Sequence, residues 1–126
     1  MTASTQSADS DWHVICLCAA WCGVCRDWQP ALRELANKHP ELRIAWIDVE
    51  DEDEAMGDVE VETFPTVLIA HGSEVRFFGP VVPSGPQLAQ LVARLQAQAQ
   101  PHAGSPGHEA RDLLARLGPL RAEAAL

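Results

Sequence analysis

The sequence predicts an α/β fold, a sheet with helices on its faces, and three observations predict it. Trp12 to Cys18 is a short, almost wholly apolar run, which fits a strand covered on both faces inside a parallel or mixed sheet. Trp28, Leu32 and Leu35 then recur at the three-to-four spacing of an amphipathic helix. Phe64 to Ala70 and Val75 to Phe78 are β-branched and apolar runs on either side of the turn His71-Gly72-Ser73-Glu74, the pattern of a hairpin.

In chain order, the first strand leads straight to Cys22, where a helix begins that runs to about Lys38. Pro30 lies inside it and is expected to bend it, because proline cannot donate a backbone hydrogen bond. His39-Pro40 stops the helix. Leu42 to Ile47 alternates loosely and reads as a second strand. Asp48 to Glu62 holds nine of the 18 acidic residues around one short helical turn with Met56. After the hairpin, Gly79-Pro80 ends the sheet, and Ser84-x-x-Gln87 is a capping box ahead of Leu88, Leu91, Val92 and Leu95, so a helix runs to about Gln98. The order is therefore β-α-β-turn-β-β-α.

These elements divide the chain into a flexible N-terminus (1–11), a domain (12–100), and a Pro/Gly/Ser-rich linker with a short C-terminal helix (101–126). The last helix carries the stripe Leu113, Leu114 and Leu117, with Gly118-Pro119 as terminator. At 126 residues and 47% hydrophobic content the chain supports one modest core and not a second domain. A formal net charge of −9 repels polyphosphates, so nucleic acid is not expected as a ligand. No run reaches the roughly 18 apolar residues that cross a bilayer, so no membrane role is expected. Met1 to Asp11 lacks a basic start and an apolar run, which predicts a cytoplasmic protein whose thiols are mostly kept reduced.

Chemistry concentrates in Trp21-Cys22-Gly23-Val24-Cys25. Two cysteines three apart at the first turn of a helix share a face and can close a small disulfide ring, and the positive helix end favours a thiolate there. In a reducing compartment such a pair reads as redox or metal chemistry.

The chain resembles the thioredoxin family in Ala20-Trp21-Cys22-Gly23-Val24-Cys25, in Pro30 on the same helix, in Phe64-Pro65-Thr66 entering a hairpin, and in Gly79 at its far end. The resemblance runs from about Trp12 to Gln98. It implies a thioredoxin-like three-layer α/β sandwich, shortened at the N-terminus and extended by a C-terminal helix. It also implies a cis Phe64-Pro65 bond in a loop beside the cysteines, and a substrate groove made by Trp21, Phe64, Pro65 and Gly79, where an extended peptide could pair with backbone near Phe64.

The departures from the family matter as much. Thioredoxins carry a further strand and helix before the motif, so the strand Leu42 to Ile47 is expected to keep an open edge, covered by the tail helix or by a second subunit. The buried aspartate that takes the proton of the second cysteine in thioredoxin is matched by Cys16, and the nearby lysine by Trp46. Gly-Val replaces the family's Gly-Pro between the cysteines. Cys25 then needs another proton acceptor, for which the Cys16 thiol, Asp48 and water are the candidates.

These features predict a thiol–disulfide oxidoreductase with a role in electron transport and cell redox homeostasis. Cys22 attacks first and Cys25 resolves the mixed disulfide. Partners would be a disulfide-bearing protein or a glutathione-type substrate and a thioredoxin-reductase-like electron donor, with a homodimer through the open edge or the C-terminal helix as a further possibility. The alternative is a non-catalytic adaptor with a regulatory disulfide. Cys16 and Cys18 share one strand face and read as core filler. A zinc site from Cys16, Cys18, Cys22, Cys25 and His13 is disfavoured, because a straight strand feeding a helix start does not bring four sulfurs to tetrahedral distance; neither a metal nor a cofactor is expected. Trp12, Trp28 and Trp46 read as packing residues, and the acidic run as a solvated surface.

Overall fold

The computed structural model describes residues 12–19, 22–57, 59, 61, 64–72, 74–97 and 108–118. Its elements are β1 (Trp12–Cys18), α1 (Gly23–Lys38), β2 (Leu42–Asp48), α2 (Asp53–Met56), β3 (Thr66–His71), β4 (Glu74–Pro80), α3 (Gly85–Ala97) and α4 (His108–Leu117). The expected segments 1–11 and 101–107 lie outside the described residues.

Four strands form one mixed sheet in the order β2-β1-β3-β4. β1 runs parallel to β2, from Trp12 opposite Leu42 to Cys18 opposite Asp48, and antiparallel to β3, with Leu17 opposite Thr66. β1 is thus central, which explains its unbroken apolar sequence: residues 14 to 18 have no exposure. Pro65 offers no N–H to a ladder, and β3 accordingly starts one residue later than that proline. Gly72, with φ of 64°, takes the left-handed conformation between β3 and β4 that a residue bearing Cβ rarely adopts.

Helix α1 continues through Pro30 and buries Cys25, Trp28, Leu32 and Leu35, the predicted stripe with Cys25 added at its head. It ends where the His39 N–H bonds to Leu35 O at 2.9 Å. Ser84 caps α3: its Oγ accepts the Gln87 N–H at 3.3 Å. Helices α1 and α3 close one face of the sheet through Val14, Cys16, Ile44, Val67, Ile69, Leu88 and Val92.

The opposite face, Ile15, Leu17, Ile47, Leu68 and Ala70, is closed by Met56 of α2 and by Ala110, Leu113, Leu114 and Leu117 of α4. This corrects the expected place of the tail helix. Its leucines are buried on a sheet face within the chain and do not lie along the β2 edge, so that stripe is not available as a dimer contact. The reason is geometric. The alternation of β1 and β3 leaves a second apolar face that the four residues of α2 are too few to cover. Arg116 ties the two helices together, donating from Nε to Ala55 O at 2.6 Å and from a terminal nitrogen to Met56 O at 3.1 Å. Both carbonyls end α2, where a cation is favoured. Among the described residues nothing pairs with the outer edge of β2.

The sheet end remote from Cys18 is tied by aromatic contacts. Trp12 stacks on His71 with centroids 4.6 Å apart, and the Arg76 guanidinium lies 5.6 Å from the Trp12 ring centroid. Trp12 is therefore a packing residue. Trp28, buried in α1, and Trp46, partly buried against the same cluster, are packing residues as well.

Candidate functional site

The site lies where β1 ends and α1 begins. After Cys18 the chain turns so that the Cys22 N–H bonds to Ala19 O at 2.9 Å, which places Cys22 at the N-cap of α1 with extended backbone (φ −84°, ψ 111°). The Cys22 carbonyl accepts the first intrahelical bond, from Arg26 N–H at 3.2 Å. Its sulfur is left facing the unbonded N–H groups of the first helical turn. Cys25, one turn in, points to the core and has no exposure.

This placement separates the two thiols electrostatically. The Cys22 thiol is held below its ordinary range, first by the Cys25 N–H, with smaller help from the Cys25 side chain, the Val24 N–H and the Arg26 charge against the cost of desolvation. The Cys25 thiol is pushed up, chiefly by burial, and further by the neighbouring Cys22 sulfur; hydrogen bonds from the Cys18 side chain and the Ala19 N–H act in the opposite direction. All four cysteines are free thiols. The arrangement offers one accessible, readily ionised nucleophile and one protected partner within reach.

The Pro65 loop comes to the same end of the sheet. Thr66 pairs with Leu17, the residue before Cys18, which brings the adjoining Pro65 to the end of the sheet where β1 stops. The Phe64–Pro65 peptide bond is cis. Pro65 is buried and Phe64 half-buried, and the Pro65 carbonyl accepts the Val81 N–H at 3.1 Å, which binds the loop to the exit of β4. Gly79 faces Val67 in the ladder. A Cβ there would meet the Phe77 ring at an ordinary 3.6 Å, so contacts among the described residues do not demand glycine. Trp21 lies outside the described residues.

The two other expected relay residues sit differently. Cys16 is fully buried and its thiol is pushed far up, by burial first and then by the charge of Cys25. Asp48 ends β2 opposite Cys18, and its Oδ1 accepts the Glu50 and Asp51 N–H groups at 2.8 and 3.2 Å, an Asx-type turn. Cys18, like Cys16, is buried with no exposure, as a core residue would be. Sequence reasoning missed two large exposed apolar side chains at this end of the sheet, Val24 and Val82, at 49% and 57% exposure. Among the described residues no group of three or more His, Cys, Asp and Glu side chains is arranged to hold a metal ion, and no helix is long and apolar enough to cross a membrane.

The thioredoxin family model matches residues 4–95. Mitochondrial thioredoxin-3 of Saccharomyces cerevisiae is 30% identical over 77 residues, 61% of this chain and 59% of that protein. An H-type thioredoxin of Fagopyrum esculentum is 38% identical over 63 residues, 49% of this chain and 54% of that one. The matched stretches thus span little more than half the length of these relatives. Among solved structures, a poplar thioredoxin h superposes with a TM-score of 0.63 at 23% identity, covering 75% of this chain and 85% of that one. Fasciola hepatica thioredoxin superposes with 0.62 at 24%, covering 72% and 86%. At such identities the structural likeness speaks to the fold.

Proposed function

The chain belongs to the thioredoxin family, and on that premise we propose that it is a thiol–disulfide oxidoreductase working through Cys22 and Cys25. One observation carries the reading: a single helix start holds a partly exposed thiol shifted towards ionisation beside a buried thiol shifted away from it. That asymmetry assigns the order of events. The Cys22 thiolate attacks a substrate disulfide, forms a mixed disulfide and releases one substrate thiolate. Cys25 then attacks Cys22 Sγ, closes the Cys22–Cys25 bond and releases the second. Two electrons pass from the dithiol to the substrate, and run backwards the same steps oxidise a dithiol.

Substrate capture falls to the surface around Cys22. Phe64 and the Pro65 loop, with Trp21 and Gly79, form the groove, where a peptide in extended form pairs with backbone near Phe64. Val24 and Val82 add apolar rim. The substrates are disulfide-bearing proteins or small disulfides of the glutathione type, the electron donor is a thioredoxin-reductase-like enzyme, and the compartment is the cytoplasm. Cys16, buried on β1, and Asp48, opposite Cys18 in the ladder, are the proton-relay groups of this reading.

Insulin reduction followed by turbidity, with dithiothreitol as donor, tests the reading. Reduction that disappears in Cys22→Ser supports it. Absence of any cysteine-dependent reduction in the unaltered chain overturns it in favour of an adaptor that holds partners through the Pro65 groove.

A further inference from the structure

The sheet end remote from the cysteines carries a cluster of side chains that the redox chemistry does not use. Trp12, His71 and Glu74 lie in one row across β1, β3 and β4: Trp12 is opposite His71 in one ladder, and His71 is opposite Glu74 in the next. The His71 and Trp12 rings are stacked, 6° from parallel with centroids 4.6 Å apart. The register shift between Ile69 and Ala70 leaves Arg76 without a partner residue in the β3–β4 ladder, and its guanidinium lies 5.6 Å from the centre of the same Trp12 ring. An imidazole and a guanidinium therefore share one indole.

Arg76 is poorly placed to tolerate a second cation. Its side chain is only 6% exposed, and its carboxylate partner is the half-exposed Glu74, whose Oε1 accepts from Nε at 2.9 Å. Among the described residues nothing accepts a hydrogen bond from its buried Nη1. Burying a charge is costly unless it is paired and hydrogen-bonded, so this guanidinium is only partly compensated as it stands. Arginine keeps its charge at every ordinary pH, whereas histidine changes charge between about pH 5 and 8. At the ends of the helices that cover this face, Lys38 is paired with Glu34 at 3.6 Å and His39 with Glu41 at 3.3 Å, and Arg94 in the last turn of α3 brings a further cation. His13, the neighbour of Trp12 in β1, belongs by alternation to the opposite face.

We propose that His71 is a proton-operated latch on Arg76: when its ring takes a proton from solvent, imidazolium and guanidinium stand against one indole with Glu74 as the carboxylate they share, and Arg76 swings off Trp12 into water. The imidazolium then takes over the indole as its cation–π partner. Nothing is oxidised or reduced, and return of the proton to solvent restores the closed arrangement. The latch acts on one end of the β3–β4 hairpin and does not depend on the redox reading of Cys22 and Cys25.

The test uses the whole chain labelled with nitrogen-15, titrated from about pH 8 to pH 5. Magnetic relaxation reads the motion of the Arg76 Nε–H bond, and the His71 ring resonances read its charge. At the alkaline end the Nε–H order parameter is expected near the ~0.85 of rigid backbone, and at the acid end below ~0.6. The fall shares its midpoint with the His71 ring. His71→Phe, which keeps a ring against Trp12 and cannot be charged, removes the pH dependence, and His71→Gln removes it likewise. Three results in the unaltered chain overturn the proposal: an order parameter that stays high while His71 protonates, a His71 ring still neutral at the acid end, or two separate midpoints. A pH-dependent fall that persists in either variant overturns it as well, because the release then belongs to another group.

Discussion

On one face of the sheet, α1 and α3 pack over Val14, Cys16, Val67 and Ile69, each helix lying next in the chain to a strand it covers. The opposite face, Ile15, Leu17, Leu68 and Ala70, is closed by the single turn of α2 and by α4 from far along the chain. All four cysteines belong to the end of β1 and the start of α1, on the locally closed side. The difference separates chemistry from closure. The thiols are set by short-range backbone geometry, whereas the second face depends on a helix whose role is burial.

The sharpest test of that separation replaces Cys22. Cys22→Ser should abolish capture of a disulfide substrate while leaving the urea unfolding midpoint where it was. In the unaltered chain the same sulfur should alkylate with iodoacetamide at a pH midpoint below the ~8.5 of a free thiol. The sign follows from the thiolate being the nucleophile: a lowered pKa brings reactivity in at lower pH, and a midpoint at or above that of a free thiol would contradict the N-cap geometry.

On the tail-closed face the expected effects are energetic. Leu113 is fully buried, so Leu113→Ala should cost about 2–5 kcal/mol in urea unfolding. The iodoacetamide profile of Cys22 should remain unchanged under native conditions. A shifted profile would mean that the two faces are coupled. Arg116→Ala removes both hydrogen bonds to the end of α2 and should cost about 1–2 kcal/mol, again without touching thiol reactivity. The smallest effect is expected at Trp28. Among the described residues its Nε1 is buried without a hydrogen-bond partner, so Trp28→Phe loses apolar contacts but no bond, and stability should change by less than about 1.5 kcal/mol. A larger loss would reveal a partner for that nitrogen.

Much of this was legible in the sequence because it is written in local patterns. The stripe Trp28-Leu32-Leu35 and the Ser84 cap mark helices whose buried faces follow from 3.6-residue periodicity. The unbroken apolar run of β1 marks a central strand. The C-terminal stripe was equally legible as a helix, but where it docks was not. Periodicity says that a face must be buried and is silent on what covers it. The placing of Cys22 was only partly legible for a related reason: the motif puts two cysteines at a helix start, but the turn that leads into it is held by the bond from Cys22 N–H to Ala19 O, a contact no composition reveals.

The dependence of one sheet face on α4 has a consequence for how the chain is made. During synthesis the last strand, β4, leaves the ribosome well before residues 108–117, and at roughly 5–20 residues per second the gap lasts seconds. For that interval Ile15, Leu17, Leu68 and Ala70 have no tail helix over them, and a nascent chain in that condition is a natural client for a chaperone.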